Sequence, residues 1–195
     1  MSSREKILEA ISKNKPALEQ LPEIVIDTKY DSSVLMLQFI LILHSIGATV
    51  VKAGSIQTIK DEFQRGIENG EYIINTIETL GVENMQINNT SDAVFLEPVE
   101  KAYIRGTLGV AENGAIWLEE SKMINRLLPF ICQHLVIALD ADKIVANMHA
   151  AYQQIDIDKE GYGVFLAGPS KTADIEQSLV IGAHGPRSLK VYLLG

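Results

Sequence analysis

The stretch of sequence that most constrains the fold runs from residue 163 to residue 194. An apolar run, Gly163 to Ala167, ends at Gly168-Pro169, where glycine accepts a tight turn and proline has no N–H to donate to a strand ladder. From Ile175 to Gly182 the apolar residues have helical spacing, and the final segment, Leu189 to Leu194, resembles a buried strand. This pattern predicts a strand, a short helix and a strand, which is the minimal crossover of a parallel sheet.

The turn after the first of these strands is the predicted ligand site, because ligands of open α/β sheets bind outside the carboxyl ends of the strands. The candidate ligand-contacting positions are Gly168, Ser170, Lys171, Thr172, Asp174 and Glu176. Two acids spaced two residues apart on a helix diverge by roughly 200°, so only one can face the crevice, and Asp174 is the predicted catalytic acid. The alternative is that Ser170 and Thr172 only cap the helix while the acids complement its dipole.

The net charge of the chain is −8, and no block of basic residues interrupts the sequence. Such a chain is repelled by nucleic-acid backbones and by anionic membranes, so neither is expected as a partner. An apolar share of 47% beside a charged share of 22% is typical of a globular protein. The sequence opens with a charged amphipathic segment and has no apolar run long enough for a bilayer, so we expect a cytoplasmic protein.

No metal and no cofactor is expected from the sequence. The chain has one cysteine, Cys132, so it forms no internal disulfide and cannot hold an iron–sulfur cluster alone. His44 and His149 lack partners at the spacing of metal ligands. The glycines Gly182 and Gly185 do not have the spacing of a dinucleotide fingerprint, and no P-loop is present.

Elsewhere the chain alternates between helical and strand patterns. Helices are predicted over residues 34–45, 55–69 and 141–154, and strands over residues 48–52, 72–75, 93–97 and 134–139. Asn113-Gly114 between two β-like segments predicts a hairpin near residues 108–118. We therefore predict an α/β fold with one open, mostly parallel sheet and helices on both faces.

The chain is predicted to divide near residue 30. Residues 1–30 would form an N-terminal helix and an extended connector, and residues 31–195 would form the α/β domain. The connector is also placed to pack against a second copy of the chain, so a homodimer is kept as an alternative to a monomer.

Glu112 is a candidate nucleophile or base, because a carboxylate on a tight turn is held rigidly at the rim of a sheet. The alternative is a solvated turn acid. The segment Ala111-Glu112-Asn113-Gly114 is similar to the Ser-Glu-Asn-Gly motif of coenzyme A transferases, whose glutamate forms a thioester, although alanine replaces serine here. This resemblance implies that Glu112 is catalytic and that Asn113 is a ligand-binding residue.

Two histidines complete the candidates. His184 lies in a loop after the predicted helix, and His134 opens a buried strand. Because imidazole can transfer protons near neutral pH, His184 is a catalytic candidate and His134 a ligand-binding one. Structural alternatives remain for both: a loop hydrogen bond for His184, which a parallel sheet would place at the edge opposite the crevice, and a helix-end contact for His134.

The segment GPSKTADIEQSLVIGAHGP, residues 168–186, resembles the C-terminal signature of the lactate utilisation protein C family, the LUD domain. Residues 106–145 resemble the family loosely, and Arg105 to Val110 stands where the family has an Ile-Thr-Gly-like segment. The resemblance implies the α/β fold of coenzyme A transferases. It also implies participation in oxidising L-lactate to pyruvate beside iron–sulfur partner proteins, with a small carboxylate or phosphate-bearing ligand at the 168–176 turn.

Two other hypotheses stay open beside the lactate utilisation type. One is an acyl-CoA transferase or a sugar-phosphate isomerase-like enzyme that uses Glu112. The other is a non-catalytic assembly module.

Overall fold

The computed structural model describes residues 2–20, 30–81, 87–173 and 179–195. The helices are α1 (Ser3–Lys13), α2 (Ser32–Ser45), α3 (Gln57–Glu68), α4 (Ala93–Leu96), α5 (Glu120–Met123), α6 (Leu128–Ile131), α7 (Met148–Tyr152) and α8 (Ile157–Glu160). The strands are β1 (Thr49–Ala53), β2 (Ile73–Asn75), β3 (Lys101–Arg105), β4 (Leu108–Val110), β5 (Ile116–Glu119), β6 (His134–Asp140), β7 (Ile144–Val145), β8 (Gly163–Leu166), β9 (Lys171–Ala173), β10 (Leu179–Ile181) and β11 (Ser188–Leu194).

Five strands form an open parallel sheet, sheet A, in the order β1-β11-β6-β3-β2. The central strands β6 and β11 are buried along most of their length, as expected for strands of a parallel sheet. The strand predicted at Leu189 to Leu194 is confirmed as β11. The chain crosses the whole sheet once, between β1 and β2, and then adds strands back toward β1.

A smaller sheet, sheet B, has the order β7-β4-β5-β8. Strands β4 and β5 form a hairpin in which the Gly114 N–H donates to the Val110 carbonyl at 2.9 Å. Gly114 has a φ of +73°, a backbone conformation that glycine adopts at no steric cost. The hairpin predicted near residues 108–118 is therefore confirmed.

Three apolar clusters bind these layers together. The first lies between one face of sheet A and a layer made of α2 and sheet B, and it includes Phe39 and Ile137. The second joins the other face of sheet A to α3 through residues such as Phe63. The third joins the outer face of sheet B, around Trp117, to Ala151 of α7. The predicted α/β fold, an open and mostly parallel sheet with helices on both faces, is confirmed.

The helix predicted after Gly168-Pro169 is wrong. Strands β9 and β10 lie in this region instead, paired antiparallel with Thr172 opposite Val180. Thr172, Val180 and Ile181 are β-branched and favour strands, and apolar spacing over so short a segment fits a period of two as well as a helix. Strand β8 also pairs with β5 in sheet B, so it does not begin a crossover within the parallel sheet.

Two further expectations need correction. The strand predicted over residues 93–97 is the short helix α4, because Leu96 and Val99, three residues apart, both face the core. The helix predicted over residues 141–154 is shorter: Ile144–Val145 form β7, and helix α7 spans Met148–Tyr152. Helix α2 leaves Val34, Leu37 and Leu41 54%, 55% and 59% exposed.

The predicted boundary near residue 30 stays a prediction. Helix α1 buries none of its residues, and residues 21–29 of the connector lie outside the part of the chain that the structure describes. Within that part, no helix combines the length and the apolar character needed to cross a bilayer.

Candidate functional site

A polar cleft of about 520 Å³ opens at the amino ends of the central strands of sheet A. Lys101, His134 and Ser188 are the first residues of β3, β6 and β11, and the strand register places them side by side. Because side chains alternate along a strand, these residues share a face with Lys190, two positions further along β11. The cleft is therefore lined by polar side chains from three neighbouring strands.

The cleft is open because α3 crosses this face of sheet A obliquely. The helix follows the carboxyl end of β1 at one edge of the sheet and leads to the amino end of β2 at the other edge. Phe63 packs edge-on against Tyr103 of β3 with ring centroids 5.3 Å apart. The amino ends of β6 and β11 therefore remain uncovered.

Glu62 of α3 forms the floor of the cleft. Its carboxylate accepts hydrogen bonds from Lys190 Nζ at 2.7 Å, from the Tyr103 hydroxyl at 3.5 Å and from the Tyr192 hydroxyl. Burial raises the pKa of Glu62, but the hydrogen bonds from Lys190 and Tyr192 outweigh burial and lower the pKa overall. Burial, followed by the charge of Glu62, raises the pKa of Tyr103, so the floor holds a carboxylate beside neutral phenols.

The charges at the mouth of the cleft are unequally paired. Lys101 pairs with Glu71 at 2.7 Å, and Lys190 is already paired with Glu62. Arg187 lines the cleft, and no carboxylate among the described residues pairs with it. Glu100 also lines the cleft, where its carboxylate accepts a hydrogen bond from the Tyr72 N–H at 3.3 Å, so Arg187 is the group of this lining that can bind a small anion.

His134 lies beside this positive group. Its Nδ1 forms a hydrogen bond of 2.8 Å with Ser188 Oγ, which orients the exposed ring. The Arg187 N–H donates to the Gln133 carbonyl at 2.8 Å, so the backbones that carry Arg187 and His134 are tied together. The imidazole and the guanidinium can therefore contact one small molecule.

The predicted turn at Gly168-Pro169 lies at the amino ends of the strands, whereas the sequence placed it at their carboxyl ends. Gly168 has a φ of +76° and packs against the carbonyl of Ile46, which precedes β1. The Ser170 N–H donates to the carbonyl of Pro186, which precedes β11, at 2.9 Å. The expected position was wrong because the turn follows a strand of sheet B and not a strand of the parallel sheet.

Ser170 and His184 belong to two segments that contact each other. The Ser170 carbonyl accepts a hydrogen bond from the Gly182 N–H at 3.0 Å, and Gly185 packs against the Ser170 side chain. His184 is exposed in the loop between Gly182 and Gly185. This contact fixes the loop that leads into Arg187, so the turn supports the cleft through the backbone.

The remaining predicted positions of this segment are dispersed. Lys171 is exposed on β9 and passes over Gly47, and Thr172 is half-buried on the same strand. Asp174 and Glu176 lie outside the described residues. Their roles stay predictions.

Glu112 and Asn113 lie on the opposite side of sheet A from the cleft. The Glu112 carboxylate accepts a hydrogen bond from the Met148 N–H at 3.0 Å, in the first turn of α7, and Asn113 Oδ1 accepts one from the Ala115 N–H at 3.0 Å. Both side chains are exposed on the rigid hairpin turn. The structure therefore gives Glu112 a capping contact and does not join it to His134.

The cleft contains residues that the sequence interpretation missed: Glu62, Lys101, Ser188, Lys190 and Tyr192. One signal could have found three of them. The strand SLKVYLL carries polar side chains at every second position from Ser188 to Tyr192, whereas a parallel strand buried on both faces is apolar throughout. Such alternation indicates a face that is open to solvent or to a ligand.

Residues 100–194 match the family model of the LUD domain. Among curated proteins, the uncharacterized protein NMB1437 of Neisseria meningitidis is 32% identical over 100 residues, which cover 50% of this chain and 43% of that protein. Lactate utilization protein C of Bacillus pumilus is 34% identical over 91 residues, which cover 44% of this chain and 38% of the relative. The chain thus matches less than half the length of these two relatives.

A solved structure has the same fold. A DUF162 family protein from Deinococcus radiodurans aligns with a TM-score of 0.62 and 16% sequence identity, covering 86% of this chain and 100% of that one. The alignment extends beyond the region matched by the family model, so it supports the architecture of the N-terminal half as well.

Proposed function

We propose that this protein is of the lactate utilisation type and takes part in oxidising L-lactate to pyruvate beside iron–sulfur partner proteins, because residues 100–194 match the family model of the LUD domain. The relatives named lactate utilization protein C support this proposal. Cys132 is buried, and burial raises the pKa of its thiol to about 12, so it suits packing better than electron transfer. The two electrons that lactate loses would pass to a partner.

The contribution of this chain is to bind and orient a small anionic ligand. A small carboxylate is the proposed ligand, and a phosphate-bearing molecule is the alternative. One observation carries this part of the proposal: Arg187 and His134 are adjacent at the mouth of the cleft while both neighbouring lysines are already paired. A guanidinium binds a carboxylate through two parallel hydrogen bonds. His134 Nε2 is then placed to contact a hydroxyl on the carbon next to the carboxylate.

The 168–176 turn remains part of the proposed site. Ser170 holds the loop before Arg187, and Lys171 adds a positive charge at the start of β9. Asp174, Glu176 and His184 are retained as candidate contacts. A ligand at the turn would contact Lys171, whereas a ligand in the cleft would not. A Lys171 variant therefore distinguishes the two sites.

Thermal-shift titration with L-lactate tests the proposal. A bound acid stabilises the folded protein by mass action, so the wild type should show a saturable rise in Tm that Arg187→Gln removes. Arg4→Gln, an exposed change on α1, serves as the matched control and should leave the rise intact. An unchanged rise in the Tm of Arg187→Gln would contradict binding in the cleft. A rise that is lost in Lys171→Gln but retained in Arg187→Gln would indicate that the ligand binds at the 168–176 turn.

The second proposed function is an acyl-CoA transferase or sugar-phosphate isomerase-like activity of Glu112. The exposure of Glu112 on a rigid turn supports it, while its hydrogen bond to Met148 opposes it. A third proposal, a non-catalytic assembly module, applies if the protein binds no small acid but captures iron–sulfur proteins.

For protein contacts we propose the iron–sulfur partners, with a homodimer as the alternative, in a cytoplasmic setting. The exposed apolar residues of α2, Val34, Leu37 and Leu41, support a protein contact of one of these kinds. Light scattering of the purified chain, alone and with candidate iron–sulfur proteins, separates the two.

A further inference from the structure

The polar cleft is larger than a three-carbon acid requires. Its volume of about 520 Å³ lies well above the roughly 300 Å³ at which pockets for drug-sized ligands begin. The proposed contacts of the carboxylate, Arg187 and His134, lie at the amino ends of β11 and β6, on one side of the cleft. The lining toward β3 and β2 is therefore left for another part of the ligand.

Three polar residues of this lining form one row across the amino ends of the strands. Arg187, Gln133 and Glu100 immediately precede the first residues of β11, β6 and β3, and the register of these strands places them side by side. The Arg187 N–H donates to the Gln133 carbonyl at 2.8 Å, and the His134 N–H donates to the Glu100 carbonyl at 2.8 Å. These backbone hydrogen bonds fix the spacing of the row.

The charges of the cleft are not all neutralised by the protein itself. Two of its carboxylates, Glu62 and Glu71, are paired with lysines. Glu100 accepts a hydrogen bond from the Tyr72 N–H, but no cation pairs with it among the residues that the structure describes, and no carboxylate among them pairs with Arg187. One negative and one positive group, at the two ends of the row, can therefore bind a ligand.

The positions of these two groups define the spacing of the charges on the ligand. Strands β11 and β3 are separated by β6, and neighbouring strands lie about 4.8 Å apart, so the Cα atoms of Arg187 and Glu100 are roughly 10 Å apart. The Arg187 side chain packs against Gly182, where an added Cβ would approach Arg187 Cγ to 2.4 Å. A ligand that contacts both groups must carry its own two charges several ångströms apart.

We propose that the cleft binds a zwitterionic aminocarboxylate, whose carboxylate contacts Arg187 and whose ammonium group contacts Glu100. A guanidinium binds a carboxylate through two parallel hydrogen bonds, and an ammonium group donates charge-assisted hydrogen bonds to a carboxylate. The amide of Gln133, midway along the row, can donate to or accept from a polar group between the two charges. This inference rests on the proposed anion site at Arg187 and adds Glu100 to it, so an aminocarboxylate competes with L-lactate.

Isothermal titration calorimetry of the full chain with 6-aminohexanoate and with hexanoate tests the role of Glu100, because the two acids differ only in the ammonium group. The wild type should bind 6-aminohexanoate about tenfold or more tightly than hexanoate, since a hydrogen bond to a charged group is worth about that factor. Glu100→Gln should abolish this preference without weakening the binding of hexanoate, because glutamine keeps an acceptor for the Tyr72 N–H but lacks the charge. Glu97→Gln, an exposed change outside the cleft lining, is the matched control and should keep the preference.

Arg187→Gln should weaken the binding of both acids, and 6-aminohexanoate should raise the apparent Kd of L-lactate. The inference is overturned if the wild type binds neither acid or both equally, or if the preference survives in Glu100→Gln. A rise in Tm with L-lactate that depends on Arg187, without a preference for 6-aminohexanoate, would reject the role of Glu100 and leave the proposed function intact. A preference that depends on Glu100, without any rise in Tm with L-lactate, would support the aminocarboxylate site and reject lactate as the ligand.

Discussion

The two faces of sheet A differ in what they contribute. Toward α2 and sheet B, the central strands present side chains such as Ile137, Leu139 and Val191, all of which are buried in one large apolar cluster. Toward α3, the same strands present Ser188 and Lys190 at their amino ends. The face toward α2 therefore buries the larger apolar cluster, and the face toward α3 keeps polar groups in a cleft at the amino ends of its strands.

Truncation of the apolar face should have the largest effect. Phe39 of α2 is fully buried and approaches Gly109 of β4, so Phe39→Ala should lower the free energy of unfolding by about 3–5 kcal/mol. Urea denaturation followed by circular dichroism measures the change. Leu41→Ala, on the exposed side of the same helix, is the control and should cost no more than about 0.5 kcal/mol. Equal losses would mean that α2 is not anchored by this face.

Glu62→Gln tests the polar face. The change leaves Lys190 and two tyrosine hydroxyls without their charged acceptor, so it should cost about 1–3 kcal/mol at neutral pH. The folded pKa of Glu62 is below its unfolded value of 4.5. Its stabilising contribution is therefore fully present above that value and is lost as the pH falls through the folded pKa.

The pH dependence supplies the control for Glu62. The difference in stability between the wild type and Glu62→Gln should shrink as the pH is lowered below the unfolded pKa. A difference that stays constant down to acid pH would show that packing, rather than the charge of Glu62, accounts for the loss.

Glu112→Gln tests whether any chemistry belongs to the apolar side of the sheet. The carboxylate accepts one exposed hydrogen bond at the start of α7, so its replacement should cost about 0.5–1 kcal/mol. If the protein exchanges acyl groups with coenzyme A, the variant should lose that exchange. An exchange that persists in Glu112→Gln, or is absent from the wild type, removes the transferase proposal.

Ser188→Ala should have the smallest effect on stability, within about 0.5 kcal/mol, because the residue is exposed at the start of β11. Its loss leaves His134 without the hydrogen bond that orients the ring. We therefore expect the lactate-induced rise in Tm to decrease while the Tm of the free protein is unchanged. A decrease of the free-protein Tm alone would show a purely structural role.

The parts of the fold that the sequence predicted are those specified locally. Asn113-Gly114 dictates its hairpin through the torsion of Gly114, and β11 follows a proline that ends the preceding loop. The strand pair β9–β10 could not be predicted, because the spacing of its apolar residues fits a helix as well as a strand. Tertiary contacts decide between the two conformations in such a segment. Ser170 bonds to Pro186 and Gly182, which are distant in sequence.

The cleft was harder to predict because it combines residues from distant parts of the chain. Glu62 and Lys190 are 128 residues apart, and only the parallel register brings Lys101, His134 and Ser188 together. His134 was chosen from its position before a buried strand, but its partner could not be inferred. The catalytic roles assigned to Glu112, Asp174 and His184 stay predictions.

The most direct test of the central claim is ¹H–¹⁵N NMR of the histidine rings during titration with L-lactate, with the His134 signals assigned through His134→Gln. The account predicts saturable shifts of the His134 ring nitrogens in the wild type and none in Arg187→Gln. Lactate binding that leaves the His134 signals unchanged in the wild type would contradict it.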